Sequence, residues 1–515
     1  MCSLVPSAEP DARDQGSTAT PRRAGSGLDG HTATRAPAAL DAGSTLVTMQ
    51  TTRVRPPRAL SNESLWATGI GTLALTVALA GDAIRNLLTI WGFGVVCVLV
   101  AGACVAVMVV LRPRIDPRRL PKALVGFVGL AIVSLAWSAY PDGTAVTLCG
   151  MALASIVGVY VATVLSWAQF LRSLSMAIKW VLGLSLLFEL WVAVVVRHPV
   201  LPLWRVFGED PPLLDMWSRN LLFEGGQIQG IPGNSNLLGI VATLGIVVFG
   251  IQLAIPRGRL QPTSRNWSIF WLAVAVVEFA LTRSSTMIAA ALVAAAALGA
   301  AVLARRAHDQ TARRPIYLGM LALLVAGVAI VVFAGGRILD LLGKSSDLTG
   351  RTEIWATVWN QIVQRPWFGW GYSSPWAPWV EPLGGLVTRN GVQQLQAHNA
   401  WLDVWMQLGI VGLVLFASAV IATLGRAWFR AVDRPRFDLV ADRPYEPISL
   451  FPLLVMVVLV VQSLAESRIL MESGWVLLVA LALSTKQREI VALDQEPDLD
   501  DRRRTPAAAP GVAGA

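Results

Sequence analysis

Apolar residues in this chain come in long uninterrupted runs rather than in alternation. Leu87–Leu111, Ala145–Leu165, Leu237–Ile255 and Tyr317–Ala334 are almost free of charge. A run of roughly 18 or more such residues crosses a hydrocarbon core of about 30 Å as helix. The runs predict spans at about 65–81, 87–111, 123–137, 145–166, 178–196, 236–255, 267–281, 286–304, 317–334, 400–423, 449–464 and 472–485. The period-two alternation of barrel strands is absent. The expected fold class is therefore an all-α polytopic membrane protein of about twelve transmembrane helices.

What lies between the runs predicts the topology. Basic residues gather in alternate short loops: Arg112, Arg114, Arg118, Arg119 and Lys122 after the second span, Arg257, Arg259 and Arg265 after the sixth, Arg305, Arg306, Arg313 and Arg314 after the eighth, and Arg426, Arg430, Arg434, Arg436 and Arg443 after the tenth. By the positive-inside rule that side is cytoplasmic, and so are both termini. The expected location is the cytoplasmic (inner) membrane. Residues 1–62 lack an apolar core and read as a disordered cytoplasmic tail, with Met49 as an alternative start; no apolar stretch follows their charges until Leu65, so they do not read as a signal peptide. Residues 63–485 form the transmembrane domain, and 486–515, with the acidic run Asp494–Asp501, a second disordered cytoplasmic tail. Two outer loops are long, about 197–235 and 335–399, and long loops in compact proteins usually carry function.

Composition sharpens this picture. The chain is 54% hydrophobic and 15% charged, against about 25% charged in soluble domains. Its net charge of +9 is accounted for by loop topology, so no nucleic-acid partner is expected. Of four cysteines, Cys97, Cys104 and Cys149 fall in predicted spans and Cys2 in the tail, with no metal-binding spacing; neither disulfide nor zinc is expected.

The second long loop carries the candidate chemistry. In Gly350–Arg365, Ile354, Trp355, Val358, Trp359 and Ile362 recur at helical spacing and predict an amphipathic helix at the outer membrane surface, with Thr349 as N-cap and Pro366 as stop. Arg351 in its first turn is a phosphate-binding candidate; the alternative is pairing with Asp347 or Glu353. Next, Gly369 and Gly371 in PWFGWGYSSPW allow tight turns. His398 then stands at the start of the tenth predicted span, where its imidazole suits proton transfer near neutral pH. Structural roles remain open for each of these. Asp403 either orients His398 or faces a wet cavity, and Gly409 and Gly412 suggest close helix packing.

The ordered set Arg351, Trp355, Pro366, Gly369, Gly371, His398, Asn399, Leu408, Gly409, Gly412 and Leu413 resembles the shared domain of O-antigen ligases and lipid-linked polysaccharide polymerases. The resemblance implies a GT-C-like membrane glycosyltransferase, independent of metal and of any cofactor. It would transfer a glycan, with inversion, from undecaprenyl pyrophosphate to an acceptor hydroxyl on a lipid, polysaccharide or protein. His398 would be the general base and Arg351 would bind pyrophosphate. Gly230 through Asn234 to Asn236 resembles a further family motif preceding a span. The family's arginine between spans seven and eight aligns with Ser285, which leaves Arg283 two residues away; Arg219 is a third phosphate candidate. Ligase and polymerase share donor and motif and stay unseparated. A transporter or flippase is the alternative of another class, but charges cluster at span ends rather than mid-membrane.

Overall fold

A computed structural model describes residues 62–491, apart from 204–210, 213–214, 257–264, 308, 342–344, 374–375, 382, 390–391, 434–444 and 489–490. The two tails, with Met49 and the acidic run, lie outside the described residues except at their inner ends. The helices are α1 (Asn62–Leu79), α2 (Gly81–Leu111), α3 (Lys122–Val133), α4 (Pro141–Val164), α5 (Trp167–Trp191), α6 (Ser235–Ala254), α7 (Arg265–Thr282), α8 (Ser285–Arg306), α9 (Gln310–Leu341), α10 (Ser345–Gln364), α11 (Ala400–Val432), α12 (Phe451–Ser463) and α13 (Glu472–Gln487). Each expected span overlaps one of them. Among the described residues, six (α2, α4, α5 with its continuation to Val196, α6, α8 and α11) are long and apolar enough to cross a membrane. The protein is thus a polytopic, all-helical membrane protein; the strands among the described residues are a two-residue antiparallel pair, Thr388–Arg389 with Val392–Gln393.

Helix ends differ from the sequence expectation for identifiable reasons. The α5 helix begins at Trp167, well before the expected 178, because Ser166 and Gln169 form a reciprocal capping box that a hydropathy window does not register. The α10 helix begins at Ser345, ahead of the expected cap Thr349, so Arg351 lies in the second turn and not at the helix N-terminus. That removes the helix-end part of its phosphate argument.

The short α12 is buried along nearly its whole length, and α13 almost as fully. A helix apolar all round is stable only inside a bundle, and α12 packs against α6, α8 and α11 while α13 packs against α4. Among the described residues, basic side chains near several helix ends tie those ends together, while Arg257, Arg259, Arg434, Arg436 and Arg443 lie outside the described residues. Arg305 donates to the Ala431 carbonyl and to Ser449, Arg313 pairs with Asp433, Lys486 donates to the Leu120 carbonyl, and Arg430 donates to the Arg488 carbonyl. The two long loops meet at one end of the bundle, which holds the site.

Candidate active site

The aromatic turn after α10 and the first half of α11 build each other. At Gly409 the α11 backbone leaves helical geometry with φ +67°, a conformation costly for any side chain. A Cβ at Gly409 would overlap the Trp367 carbonyl, and one at Gly369 would overlap the Gln407 carbonyl. The break frees carbonyls that the turn then satisfies. The Trp370 N–H donates to Met406 O (3.1 Å) and the Gly371 N–H to Gln407 O (2.9 Å), while the Ile410 N–H donates to Pro366 O (2.8 Å). Gly371 in turn lies against Ser138, tying this turn to the segment before α4. The glycines at 409 and 369 therefore serve backbone contact between turn and helix, where the sequence suggested helix–helix packing for Gly409. The apolar face of α10 (Ile354, Val358, Ile362) is buried against Trp376, Ala397 and Met406 rather than laid on a membrane surface.

That platform fixes the backbone around His398. The indole of Trp355 donates to the Ala397 carbonyl (3.0 Å), and the Ala397 N–H donates to Asp403 (3.2 Å). Asp403 is buried and also accepts from Trp376 Nε1 (2.7 Å), Gln407 Nε2 (3.2 Å) and Ser467 Oγ. It touches neighbours of His398, not the ring itself, and faces no wet cavity. Asn399 caps α11 by accepting from the Trp401 and Leu402 N–H groups, and donates to the Leu464 carbonyl. His398 lies between these anchors with φ +49°, a left-handed backbone uncommon for a residue with a side chain.

The residue that organises the site is Glu466, in the short link between α12 and α13. Its side chain is 5% exposed. His398 Nδ1 lies 3.0 Å from Oε2, which also accepts from Gln396 Nε2 (3.0 Å). Oε1 accepts from Asn236 Nδ2 (2.9 Å) and Arg351 (3.3 Å). Burial pushes the Glu466 carboxyl up, but His398, Arg351 and Arg468 outweigh burial and bring it down to about 2. An ionised carboxylate only accepts, so the Nδ1 facing it is the donor; a neutral ring held this way would present its lone pair at Nε2. Nε2 lies 3.2 Å from Gln394 Oε1, on the side where His398 and Gln394 line a cavity of about 1680 Å³. Arg351 thus pairs with an acid, but not with Glu353: the partner is Glu466, 115 residues away, and the Asp347 side chain lies outside the described residues.

The cavity joins a polar mouth to an apolar limb. Arg219, Arg351, Gln394, His398, Glu466 and Arg468 line the mouth, and α2 and α4 supply apolar wall such as Val95, Val98, Leu99, Val146 and Leu153. Between them lies an ion-paired ring that the sequence reading missed. Arg85 pairs with Asp82 and Glu472 (2.5 Å), and Arg468 pairs with Asp82 (2.5 Å) and Glu472 (2.8 Å). Burial lowers and the two carboxylates raise the Arg468 proton affinity, with a net rise. Burial lowers that of Arg219.

The expected site residues separate into two groups. His398, Arg351, Arg219, Asn236 and Asn234 line the cavity. Asn236 bridges Glu466 and Ser284 (2.6 Å), whereas Asn234 caps α6 by accepting from the Asn236 and Leu237 N–H groups. Arg283 is not among the described residues that line the cavity and lies beside Gly225 of the first long loop. Asn399, Asp403, Gly369 and Gly371 support the platform. Glu189 accepts from the Gln229 and Gly230 N–H groups and Ser218 Oγ, so it holds the first long loop. A signal for Glu466 did exist in the sequence: Glu466, Arg468 and Glu472 put three charges into a tight link between two apolar runs, where charge is costly without a partner.

Residues 268–417 match the family described as O-Antigen ligase. The O-antigen ligase of Pseudomonas aeruginosa is 32% identical over 108 residues, which is 21% of this chain and 24% of that protein. The exopolysaccharide production protein ExoQ of Rhizobium meliloti is 31% identical over 156 residues, 27% of this chain and 33% of that one. The matched part of this chain is similar to the O-antigen ligase family. The superfamily match runs from α7 to the middle of α11 and so holds Arg351, Gln394 and His398, but it ends before Glu466. The chain spans only about a quarter to a third of the length of these relatives.

Proposed function

We propose that this protein transfers a glycan from undecaprenyl pyrophosphate to an acceptor hydroxyl on the outer face of the cytoplasmic membrane. The carrying observation is the Glu466–His398 pair: the carboxylate engages Nδ1 (3.0 Å) and leaves Nε2 as the base beside the cavity. In this reading Nε2 takes the acceptor O–H proton while the acceptor oxygen attacks the anomeric carbon from the face opposite the phosphate. The carbon–oxygen bond to pyrophosphate breaks, its electron pair leaves with the pyrophosphate, and configuration inverts. Glu466 stabilises the imidazolium that forms, much as a buried carboxylate steadies the histidine of a hydrolase. Arg351, Arg219 and Arg468 at the mouth meet the charge on the leaving group, which lets the reaction proceed without metal. Arg283, beside the first long loop, supports that loop's approach to the donor. The apolar limb between α2 and α4 seats the polyprenyl chain. Twelve spans in a GT-C-like arrangement, with both tails cytoplasmic and 335–399 outside, put this mouth on the outer face.

A ligase, delivering a whole glycan to a lipid or protein acceptor, is the first reading. A polymerase adding repeat units is the second, supported by kinship to an exopolysaccharide production protein. The test is transfer in liposomes with an undecaprenyl-pyrophosphate-linked glycan, envelope lipid and polymer acceptors, and EDTA. Wild type should release undecaprenyl pyrophosphate and form product, and His398→Ala should form none. A product ladder selects the polymerase, and a single transferred glycan the ligase. Full activity in folded His398→Ala overturns the base assignment. Vectorial movement of the lipid-linked glycan without transfer selects a flippase instead.

A further inference from the structure

Beside the catalytic nitrogen stands a side chain that the reaction as described does not use. Gln394 Oε1 lies 3.2 Å from His398 Nε2, at the position an acceptor hydroxyl must occupy to give up its proton. Its backbone is held: the Gln394 N–H donates to the Val387 carbonyl (2.8 Å) across the short strand pair, and the next residue's carbonyl accepts from the Trp376 N–H (2.9 Å). The neighbouring Gln396 is fixed at both ends of its amide, donating to Glu466 (3.0 Å) and accepting from the Ser467 N–H (3.1 Å). Gln394 is half-buried and lines the same cavity as His398.

We propose that Gln394 is a displaceable cap on the base, which keeps water from Nε2 until an acceptor sugar hydroxyl takes its place. The inference rests on the transferase reading above. With Nδ1–H engaged by Glu466, neutral Nε2 presents a lone pair. A half-turn of the terminal amide offers it an N–H donor, and the other orientation offers Oε1 to the imidazolium after proton transfer. One side chain therefore matches both protonation states of the ring. Without the cap, water is small enough to reach Nε2. It would lose a proton there, attack the anomeric carbon and expel undecaprenyl pyrophosphate, releasing free glycan. A lone water has only its own hydrogen bond to Nε2 to set against displacing the amide. An acceptor glycan held by contacts elsewhere in the mouth can displace it, so the cap selects a bound sugar hydroxyl over solvent.

The experiment measures free glycan and transferred glycan from the same liposomes with the lipid-linked donor, for wild type, Gln394→Ala, Gln394→Glu and His398→Ala. Gln394→Ala should raise the ratio of hydrolysed to transferred glycan by on the order of tenfold, the effect of one hydrogen bond. Gln394→Glu keeps the size but places a carboxylate on Nε2, which favours the imidazolium, so the acid limb of its transfer profile should move to higher pH. His398→Ala should abolish both products, showing that the hydrolysis runs through the base. An unchanged ratio in folded Gln394→Ala overturns the cap while the transferase reading stands. If Gln394→Ala does not fold, an unmoved acid limb in Gln394→Glu overturns the cap. Failure of wild type to form any transferred product overturns the transferase reading, and the cap with it.

Discussion

Replacing Glu466 by glutamine isolates the electrostatic part of the site, because it keeps size and removes charge. The carboxyl falls from its usual 4.5 to about 2 although burial acts in the opposite direction. At 1.36 kcal/mol per pH unit, that drop is about 3 kcal/mol of net favourable interaction with its cationic neighbours. His398 precedes Arg351 and Arg468 among those neighbours, and a hydrogen bond to a charged partner exceeds one to a neutral amide by about 1–1.5 kcal/mol. Since the imidazolium exists only once the base has taken its proton, the loss is felt mainly in the transition state. Glu466→Gln should therefore lower kcat/KM by about 5- to 13-fold, with kcat carrying most of the fall. The assay is initial-rate glycan transfer, with folding checked by thermal unfolding in detergent. A folded Glu466→Gln with wild-type rate refutes the pairing of carboxylate and base.

Three further outcomes are expected. Because the Glu466 carboxyl is depressed in the folded state, its contribution to stability is present at its ordinary pKa of 4.5 and fades as pH falls toward about 2; the difference in unfolding temperature between wild type and Glu466→Gln at pH 5 should vanish at the acid end. Gly409→Ala puts a side chain at φ +67° and onto the Trp367 carbonyl, so it should cost about 3 kcal/mol or more, read as loss of folded protein by size-exclusion chromatography. Arg219 lines the cavity and Arg283 does not; donor KM should thus rise about tenfold in Arg219→Ala, the effect of losing one charged hydrogen bond, and clearly less in Arg283→Ala. Equal rises would contradict the distinction drawn between them.

The site was legible in unequal parts. His398 and Arg351 were readable because a histidine just before a span, one of four in the chain, and an arginine on a Trp-bearing helix stand out in an apolar sequence. Asn234 and Asn236 were readable only as a pair, and the fold separates them: one oxygen caps α6, and the other side chain reaches Glu466. Glu466 itself was missed, since its partners lie 68, 70, 115 and 230 residues away in the chain. The Asp82–Arg85–Arg468–Glu472 ring was missed for the same reason, its cross-links joining residues 386 and 387 positions apart.

The sequence alone determined which segments are helical and apolar, and which loops bear positive charge. Those properties follow from the cost of exposing backbone and charge to hydrocarbon, and that cost is local to each segment. Only the tertiary structure decided which acid meets which base. Pairing depends on how separate helices stack and where their ends converge. The Glu466–His398 contact exists because α11 and the link from α12 to α13 come together at the end of the bundle where the long loops meet, and no local periodicity records that meeting.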